Sequence, residues 1–108
     1  MEYRKITAIL NAESLDHTAK ALQGIGVHGI SITHVMGHGE YANFYAKDLC
    51  CKHAHIEIFT HQSKAKEIAA TIMNAAHTGM AGDGIVAILP VENIYRIRTK
   101  SEANRETL

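Results

Sequence analysis

The chain has 108 residues, of which 46% are hydrophobic and 20% are charged, and its 11 Lys and Arg residues balance its 11 Asp and Glu residues. This length suits one small domain, and a zero net charge differs from the basic excess of proteins that bind nucleic acid, so we expect no nucleic-acid partner. No apolar run approaches the ~20 residues of a membrane-spanning helix, so we expect a cytoplasmic protein.

The first part of the chain predicts a strand, a helix and a second strand. Residues 3–10 alternate in a way typical of a half-buried strand, with Ile6, Ala8 and Leu10 on one face. Ser14 then follows as a candidate helix cap, and Gly24 and Gly26 end the apolar helical repeat after it. Residues 27–36 alternate again, which predicts the second strand.

The middle of the chain predicts a third strand and a second helix. In the strand, residues 53–59, alternation directs one set of side chains inward, namely Ala54, Ile56 and Ile58, and the other set outward, namely His53, His55 and Glu57. The helix covers residues 62–77, and Gly79 is its candidate cap. Its buried stripe is predicted to comprise Ala65, Ile68, Ala69, Ile72 and Ala76.

Two more strands are predicted near the C-terminus. Residues 85–89 form a continuous apolar run, as in a central strand, and residues 95–98 alternate apolar with basic side chains, as in a short final strand. The residues after Lys100 are polar. We therefore expect a domain over residues 1–100 and a flexible tail over residues 101–108.

The predicted order β-α-β-β-α-β, with a short extra strand, indicates the α+β class. It is the order of the ferredoxin-like sandwich, in which two helices cover one face of an antiparallel sheet. The other face, which bears Thr7, Ile9, Ser31 and Thr33, suits a subunit interface. Residues 37–52 form a connection without clear periodicity that is longer than a hairpin needs, and such loops are usually functional or disordered.

Three segments have the chemistry to bind an anion, although each also has an ordinary explanation. Gly82-Asp83-Gly84 and Gly37-His38-Gly39 can present backbone N–H groups to a phosphate, or can be simple turns. On one strand, Arg96 and Arg98 would project from the same face and could clamp a phosphate, or could form a solvated edge. All three segments fall at strand ends, so together they favour an anion site.

Other kinds of site have less support in the sequence. The adjacent Cys50 and Cys51 fit neither a disulfide framework nor a zinc site. His53 and His55 lie two residues apart on a strand and could chelate a metal, or could be ordinary exposed histidines. No activated nucleophile, acid pair or phosphate-binding loop of the Walker type occurs, so we expect no enzymatic activity.

Several segments resemble the PII signal-transduction proteins. Residues 78–84 (TGMAGDG) match the T-G-x-x-G-D-G pattern of that family, and Val91-Glu92 followed by residues 96–99 (RIRT) match its V-E-x-x-x-R-I-R-T pattern. Residues 5–9 and 21–33 match the first strand and the segment from helix end to second strand. Residues 55–58 (HIEI) are similar to the K-I-E-I strand. The resemblance covers nearly the whole chain except residues 41–52 and the tail.

The resemblance implies a homotrimer of ferredoxin-like subunits with ADP, AMP or ATP bound in the clefts between subunits. It implies a T-loop at residues 37–52, a phosphate-cradling B-loop at 79–84 and a C-loop at 92–100. Carried over position by position, the phosphates would meet Gly37, His38, Gly39, Gly82, Asp83 and Gly84, with Arg96 and Arg98 from the neighbouring subunit. The adenine and ribose would be surrounded by Gly29, Ile30, Ser31, Glu57 and Phe59.

The chain departs from typical PII members at positions that concern effector choice. Ile85 replaces a phosphate-contacting lysine, so ADP or AMP should compete well with ATP. Typical members have a G-R-Q motif whose glutamine helps to hold Mg²⁺ with 2-oxoglutarate, whereas here Gly39 is followed by Glu40 and Tyr41. His53 aligns with a T-loop lysine, so 2-oxoglutarate sensing is not expected. The shortened T-loop offers no assignable modification site at Tyr41 or Tyr45.

With these departures the chain resembles a divergent PII-like group that includes regulators of inorganic-carbon uptake, among them carboxysome-associated ones, and regulators of membrane transporters. The resemblance implies a role in inorganic-carbon or nitrogen metabolism. The resemblance then implies a protein partner that reads the T-loop, either a membrane transporter or a metabolic enzyme, with recruitment to the membrane in the first case. Bicarbonate is a candidate second ligand. The alternative is a metal-responsive trimer of similar fold that uses surface histidines.

Overall fold

The structure is a computed structural model that describes residues 1–37 and 51–104. That part of the chain contains six strands and two helices: β1 (Tyr3–Asn11), α1 (Leu15–Gly24), β2 (Ser31–Gly37), β3 (Cys51–His61), α2 (Gln62–Ala76), β4 (Gly84–Val91), β5 (Tyr95–Arg96) and β6 (Ser101–Glu102). A short 3-10 turn, Ala12–Ser14, joins β1 to α1. The segment predicted as the T-loop lies mostly outside the described residues, although Gly37 ends β2 and Cys51 begins β3.

Four strands form one antiparallel sheet in the order β2-β3-β1-β4, which confirms the predicted ferredoxin-like arrangement. The prediction of a central position for the run at 85–89 is wrong, because β4 lies at the edge of the sheet. Ile85 and Ile88 on opposite faces of this strand are 45% and 41% exposed. An edge position also explains how the strand includes Pro90, which has no N–H group to donate to a neighbour.

Both helices pack on one face of the sheet. Their buried side chains share one core with the inward side chains of β1 and β3: Ile6, Ala8, Leu10, Leu22, Val27, Ile56, Ile58, Ala65, Ile68, Ile72 and Ala76. This confirms the inward set predicted for β1 and β3, and α2 buries the stripe predicted for it. Hydrophobic burial on this face is the main favourable contribution to folding of the single chain.

The ends of several elements differ from the predicted ones. Ser14 makes no capping bond through its side chain; instead, Asn11 Oδ1 accepts a hydrogen bond from the Glu13 N–H at 2.9 Å. Helix α2 ends at Ala76, where the His77 N–H donates to the Met73 carbonyl, so Gly79 lies in the following turn. Strand β2 begins at Ser31, four residues later than predicted.

The C-terminal segment forms a small hairpin. Strand β5 has only two residues and pairs with β6, while residues 97–100 form the turn between them. Arg98 therefore lies in a turn, and the prediction that Arg96 and Arg98 share one strand face is wrong. The Tyr3 hydroxyl donates to the carbonyl of buried Ala103 at 2.7 Å, so the hairpin is tied to the start of β1.

Candidate nucleotide-binding site

A cavity of about 600 Å³ lies between the loop after α1, the end of β3 and the start of α2. It gathers six of the predicted site residues: Gly29, Ile30, Ser31, Glu57, Phe59 and Arg96. Its walls combine apolar side chains of the core, such as Ile58 and Ile68, with several polar and charged side chains. A concave site in which apolar walls surround convergent polar groups is typical of small-molecule binding.

The Arg96 guanidinium is the cation from the C-terminal hairpin that reaches this cavity. Its Nε atom is buried and has no hydrogen-bond partner among the described residues. A buried donor without an acceptor costs free energy, and a guanidinium binds carboxylate or phosphate oxygens through two parallel hydrogen bonds. Arg96 thus brings to the cavity a guanidinium suited to an anion.

Glu57 enters the cavity from the middle of β3, where Thr7 and Ser31 are its cross-strand neighbours. Its Oε1 atom lies 3.6 Å from Lys5 Nζ and 3.6 Å from His55 Nε2. The His55 ring also contacts Thr7 Oγ1 at 2.6 Å. These groups fix the carboxylate on the face of the sheet opposite the helices.

Two charged residues of the cavity, Lys64 and Glu67, were not predicted from the sequence; both lie on the first turns of α2. They are spaced three apart and therefore lie on the same side of the helix. Because α2 starts at Gln62, directly after β3, its first turns must lie close to Phe59 and the end of that strand. No connecting loop separates the third strand from the second helix, and this feature of the sequence could have indicated that both residues lie near the end of the strand.

The loop from Thr78 to Gly84 is organised by Asp83. Its carboxylate accepts hydrogen bonds from the Thr78 N–H at 2.8 Å, the Gly79 N–H at 3.0 Å and the Thr78 hydroxyl. His77 Nδ1 lies 3.7 Å away. Burial raises the pKa of Asp83, but these hydrogen bonds and the His77 charge together outweigh it, so the pKa lies below its ordinary value. All these contacts lie within the loop or at the adjacent end of α2, so they shape this turn directly.

Gly84 has a structural reason of its own to be glycine. Its φ angle is +99°, and a Cβ atom there would lie 1.8 Å from the Ile9 carbonyl oxygen. The close approach of β4 to β1 therefore requires a residue without a side chain. Neighbouring Gly82 has its carbonyl oxygen 3.4 Å from Nε2 of His53.

His53 lies on the outward face of β3, as predicted, but its side chain is fully buried, so the prediction of an exposed histidine is wrong. No group of three or more His, Cys, Asp or Glu residues that could hold a metal occurs within residues 1–37 and 51–104. His55 is engaged with Thr7 and Glu57. The metal-responsive alternative is therefore not supported.

The predicted site residues fall into two groups that are far apart in one chain. Gly84 pairs with Leu10 at one end of β1, while Phe59 of the cavity pairs with Lys5. Five residues of strand separate these positions, or about 17 Å. Gly37 ends β2 near Asn11, at the same end of the sheet as Gly84. One chain therefore does not bring the glycine-rich segments to the cavity.

The remaining predicted residues are placed as follows. Arg98 lies in the hairpin turn and is exposed, and His38 and Gly39 lie outside the described residues. Arg96, predicted to act on the neighbouring subunit, lines the same cavity as the residues predicted around the adenine. No helix within the described ranges is long and apolar enough to cross a membrane.

Comparison with known proteins identifies the family. The model of the family described as nitrogen regulatory protein P-II matches residues 3–101. A nitrogen regulatory protein P-II of Azospirillum brasilense is 35% identical over 104 residues, covering 89% of this chain and 92% of the relative. Nitrogen regulatory protein P-II 2 of Methanothermobacter thermautotrophicus is 34% identical, covering 89% of this chain and 90% of that relative.

Solved structures agree with this assignment. A crystal structure of Arabidopsis thaliana PII bound to citrate superimposes with a TM-score of 0.83 and 27% sequence identity, and the match covers 99% of this chain and 92% of that chain. The PII family accounts for the four-stranded antiparallel sheet, for the two helices and for the sequence matches. The chain belongs to the PII family of nitrogen regulatory proteins.

Proposed function

We propose that this PII-family regulator binds an adenine nucleotide (AMP, ADP or ATP) in clefts between the subunits of a homotrimer. PII proteins are regulatory, form homotrimers and interact with protein partners. The observation that carries the proposal is Arg96, whose buried Nε lacks an acceptor on a cavity of about 600 Å³. The apolar wall around Phe59 suits an adenine ring, and the guanidinium suits a phosphate.

The separation of the two residue groups supports a site between subunits. The segment 82–84 is at one end of the sheet and the cavity is nearer the other. A neighbouring copy that turned its 82–84 segment toward this cavity would join the two groups. The backbone N–H groups of Ala81 and Gly82 donate to none of the described residues, which leaves them available to a phosphate.

The ligand preference should differ from that of typical PII proteins. Ile85, at the start of β4, contributes no charge to the nearby loop, so charge compensation for a triphosphate is weaker and ADP or AMP competes well with ATP.

Binding of 2-oxoglutarate with Mg²⁺-ATP should be absent, because Mg²⁺ requires near-octahedral oxygen coordination and Tyr41 is a poor ligand for this ion. Glu40 would repel a dicarboxylate. Bicarbonate is the second ligand that we propose, since its negative charge suits the Arg96 guanidinium.

Regulation would act through residues 37–52 and a metabolic enzyme or membrane transporter that reads them. A ligand shifts a loop between conformations only as far as it binds one of them better. Gly37 lies at the base of this segment and at the same end of the sheet as Gly82 and Gly84. A phosphate held there would contact the loop base directly, which gives the required difference in affinity.

The test is calorimetry with AMP, ADP and ATP, and then with 2-oxoglutarate or bicarbonate in the presence of nucleotide. Arg96→Ala should weaken nucleotide binding by about 1.5–3 kcal/mol, or roughly ten- to a hundredfold, because a charge-assisted hydrogen bond is lost. Lys66→Ala, an exposed cation of α2 outside the cavity, is the matched control and should bind as the parent does.

Three results would contradict the proposal. Arg96→Ala would bind nucleotide as tightly as the parent, 2-oxoglutarate would titrate with Mg²⁺-ATP at micromolar affinity, or light scattering would show a monomer at micromolar concentration.

A further inference from the structure

His55 and Glu57 form a small cluster of titratable side chains on the sheet face opposite the helices. His55 Nε2 lies 2.6 Å from Thr7 Oγ1 and 3.6 Å from Glu57 Oε1. The same Glu57 oxygen lies 3.6 Å from Lys5 Nζ. One carboxylate oxygen therefore faces two basic groups. A lysine keeps its charge at neutral pH, whereas an imidazole is charged only when it is protonated.

The two members of this pair differ in their relation to the cavity. Glu57 lines the cavity, and His55 lies outside its lining, beside Thr7 of β1. The His55 side chain is 30% exposed and that of Glu57 is 34% exposed. A ligand in the cavity would therefore remove water from the carboxylate, while the imidazole stays outside the site and can exchange protons with solvent.

The surroundings of His55 leave Glu57 as its anionic partner. Its cross-strand partners, Ile9 on β1 and Thr33 on β2, carry no charge. In the part of the chain that the structure describes, the ionisable groups that face the His55 ring or share the cavity with Glu57 come from four elements: Lys5 on β1, His53 and Glu57 on β3, Lys64 and Glu67 on α2, and Arg96 in the hairpin.

A nucleotide in the cavity would favour the charged form of the imidazole. Removal of water from Glu57 lowers the local dielectric constant, so a positive charge beside the carboxylate is attracted to it more strongly. The negative charge of the nucleotide acts in the same direction. Because coupling between two binding events is reciprocal, a protonated His55 strengthens nucleotide binding by the same factor by which the nucleotide favours protonation.

We propose that His55 is a positioning residue for Glu57, and that its protonation couples nucleotide binding to pH. The affinity rises as the pH falls through the range in which an imidazole gains its proton, near about pH 6.5. This coupling rests on the nucleotide site proposed above and adds a means of regulating it. The K-I-E-I pattern has a lysine where this chain has His55, so a permanent charge is replaced by one that depends on pH.

The test measures ADP affinity by calorimetry from about pH 5.5 to about pH 8.5 in the parent, in His55→Gln, which is neutral throughout, and in His55→Lys, which stays charged. Dividing each association constant by that of His55→Gln removes the titration of the ADP phosphate itself. The ratio for the parent should rise about threefold to tenfold toward acid, where tenfold corresponds to one pKa unit of coupling. The ratio for His55→Lys should be high and independent of pH.

Two controls separate this coupling from a merely structural role. His17→Gln removes an exposed histidine of α1, on the other side of the sheet, and should keep the pH dependence of the parent. In a Glu57→Gln background, His55→Gln should no longer change the pH dependence, because the carboxylate that it acts through is gone. Calorimetry in two buffers of different ionisation enthalpy should show that the parent takes up more protons per bound ADP than His55→Gln does.

The outcomes distinguish this inference from the proposed site. A ratio of parent to His55→Gln that is constant with pH would overturn the inference and leave the nucleotide site intact. A full effect of His55→Gln in the Glu57→Gln background would overturn it as well, since the charge would then act by another route. A parent that bound no adenine nucleotide at any pH would refute the proposed site and this coupling together.

Discussion

Replacing Gly84 by Ala should be among the most destabilising single-methyl changes in the chain. The new Cβ would lie 1.8 Å from the Ile9 carbonyl oxygen and 2.8 Å from the Ile9 carbonyl carbon, so β4 would have to move away from β1. The φ angle of +99° adds backbone strain of about 1–2 kcal/mol for a residue with a Cβ. Overpacking in a fixed site costs about 1–3 kcal/mol. We expect a loss of about 2–5 kcal/mol in total.

Substitutions at two other glycines separate the cost of backbone strain from the cost of steric overlap. Gly26 has a φ angle of +90° but open space around its Cβ position, so Gly26→Ala should show the strain alone, about 1–2 kcal/mol. Gly24, the last residue of α1, has neither a positive φ angle nor a close neighbour, so Gly24→Ala should be neutral or stabilising by up to about 1 kcal/mol.

The assay is urea unfolding followed by circular dichroism at one protomer concentration, because the stability of an oligomer depends on concentration. The expected order of stability is Gly24→Ala, then Gly26→Ala, then Gly84→Ala. Equal losses in Gly84→Ala and Gly26→Ala would refute the close approach of β4 to β1 as the reason for this glycine.

Two further predictions concern Asp83 and His53. The lowered pKa of Asp83 means that its contribution to stability is present above the ordinary carboxyl pKa and is lost as the pH falls through the lower folded-state pKa. In thermal melts from pH 6 to pH 2, Asp83→Asn should therefore be less stable than the parent at pH 6, and the difference should shrink in acid. A difference that stays constant with pH would contradict this. His53→Ala should lower the free energy of unfolding by about 2–4 kcal/mol, because it empties a fully buried position. His55→Ala, at a half-buried position, should lower it by about 1 kcal/mol, and equal losses of stability in the two variants would refute the assigned burial.

Much of the fold followed from local periodicity. The stripe of α2 from Ala65 to Ala76 and the inward residues of β1 were predictable, because hydrophobic spacing reflects the geometry of a single element facing one core. The candidate anion-binding residues were proposed from the RIRT and GDG motifs. Their placement could not be predicted in the same way, since it depends on which strand ends meet.

Three wrongly predicted positions show what local sequence patterns cannot determine. Alternation assigned His53 correctly to the outward face of β3, but whether that face is covered depends on distant segments such as the loop containing Gly82. A continuous apolar run in β4 indicated burial on both sides, yet the strand is at the edge. The alternating pattern that begins at Tyr95 extends to Arg98 and predicted one strand, but the chain turns at Ile97 to form the hairpin.

The sequence by itself determined the family, the order of elements and the side of each element that faces the core, because these depend on residues close together in the chain. The tertiary structure decided that β4 lies at the sheet edge, that Arg96 reaches the cavity with an unsatisfied donor and that the 82–84 segment lies at the other end of the sheet. These facts depend on pairing between strands that are far apart in the sequence, from Asn11 with His53 to Tyr3 with Val91. Pairing at that range is set by the packing of the whole domain, which no local pattern encodes.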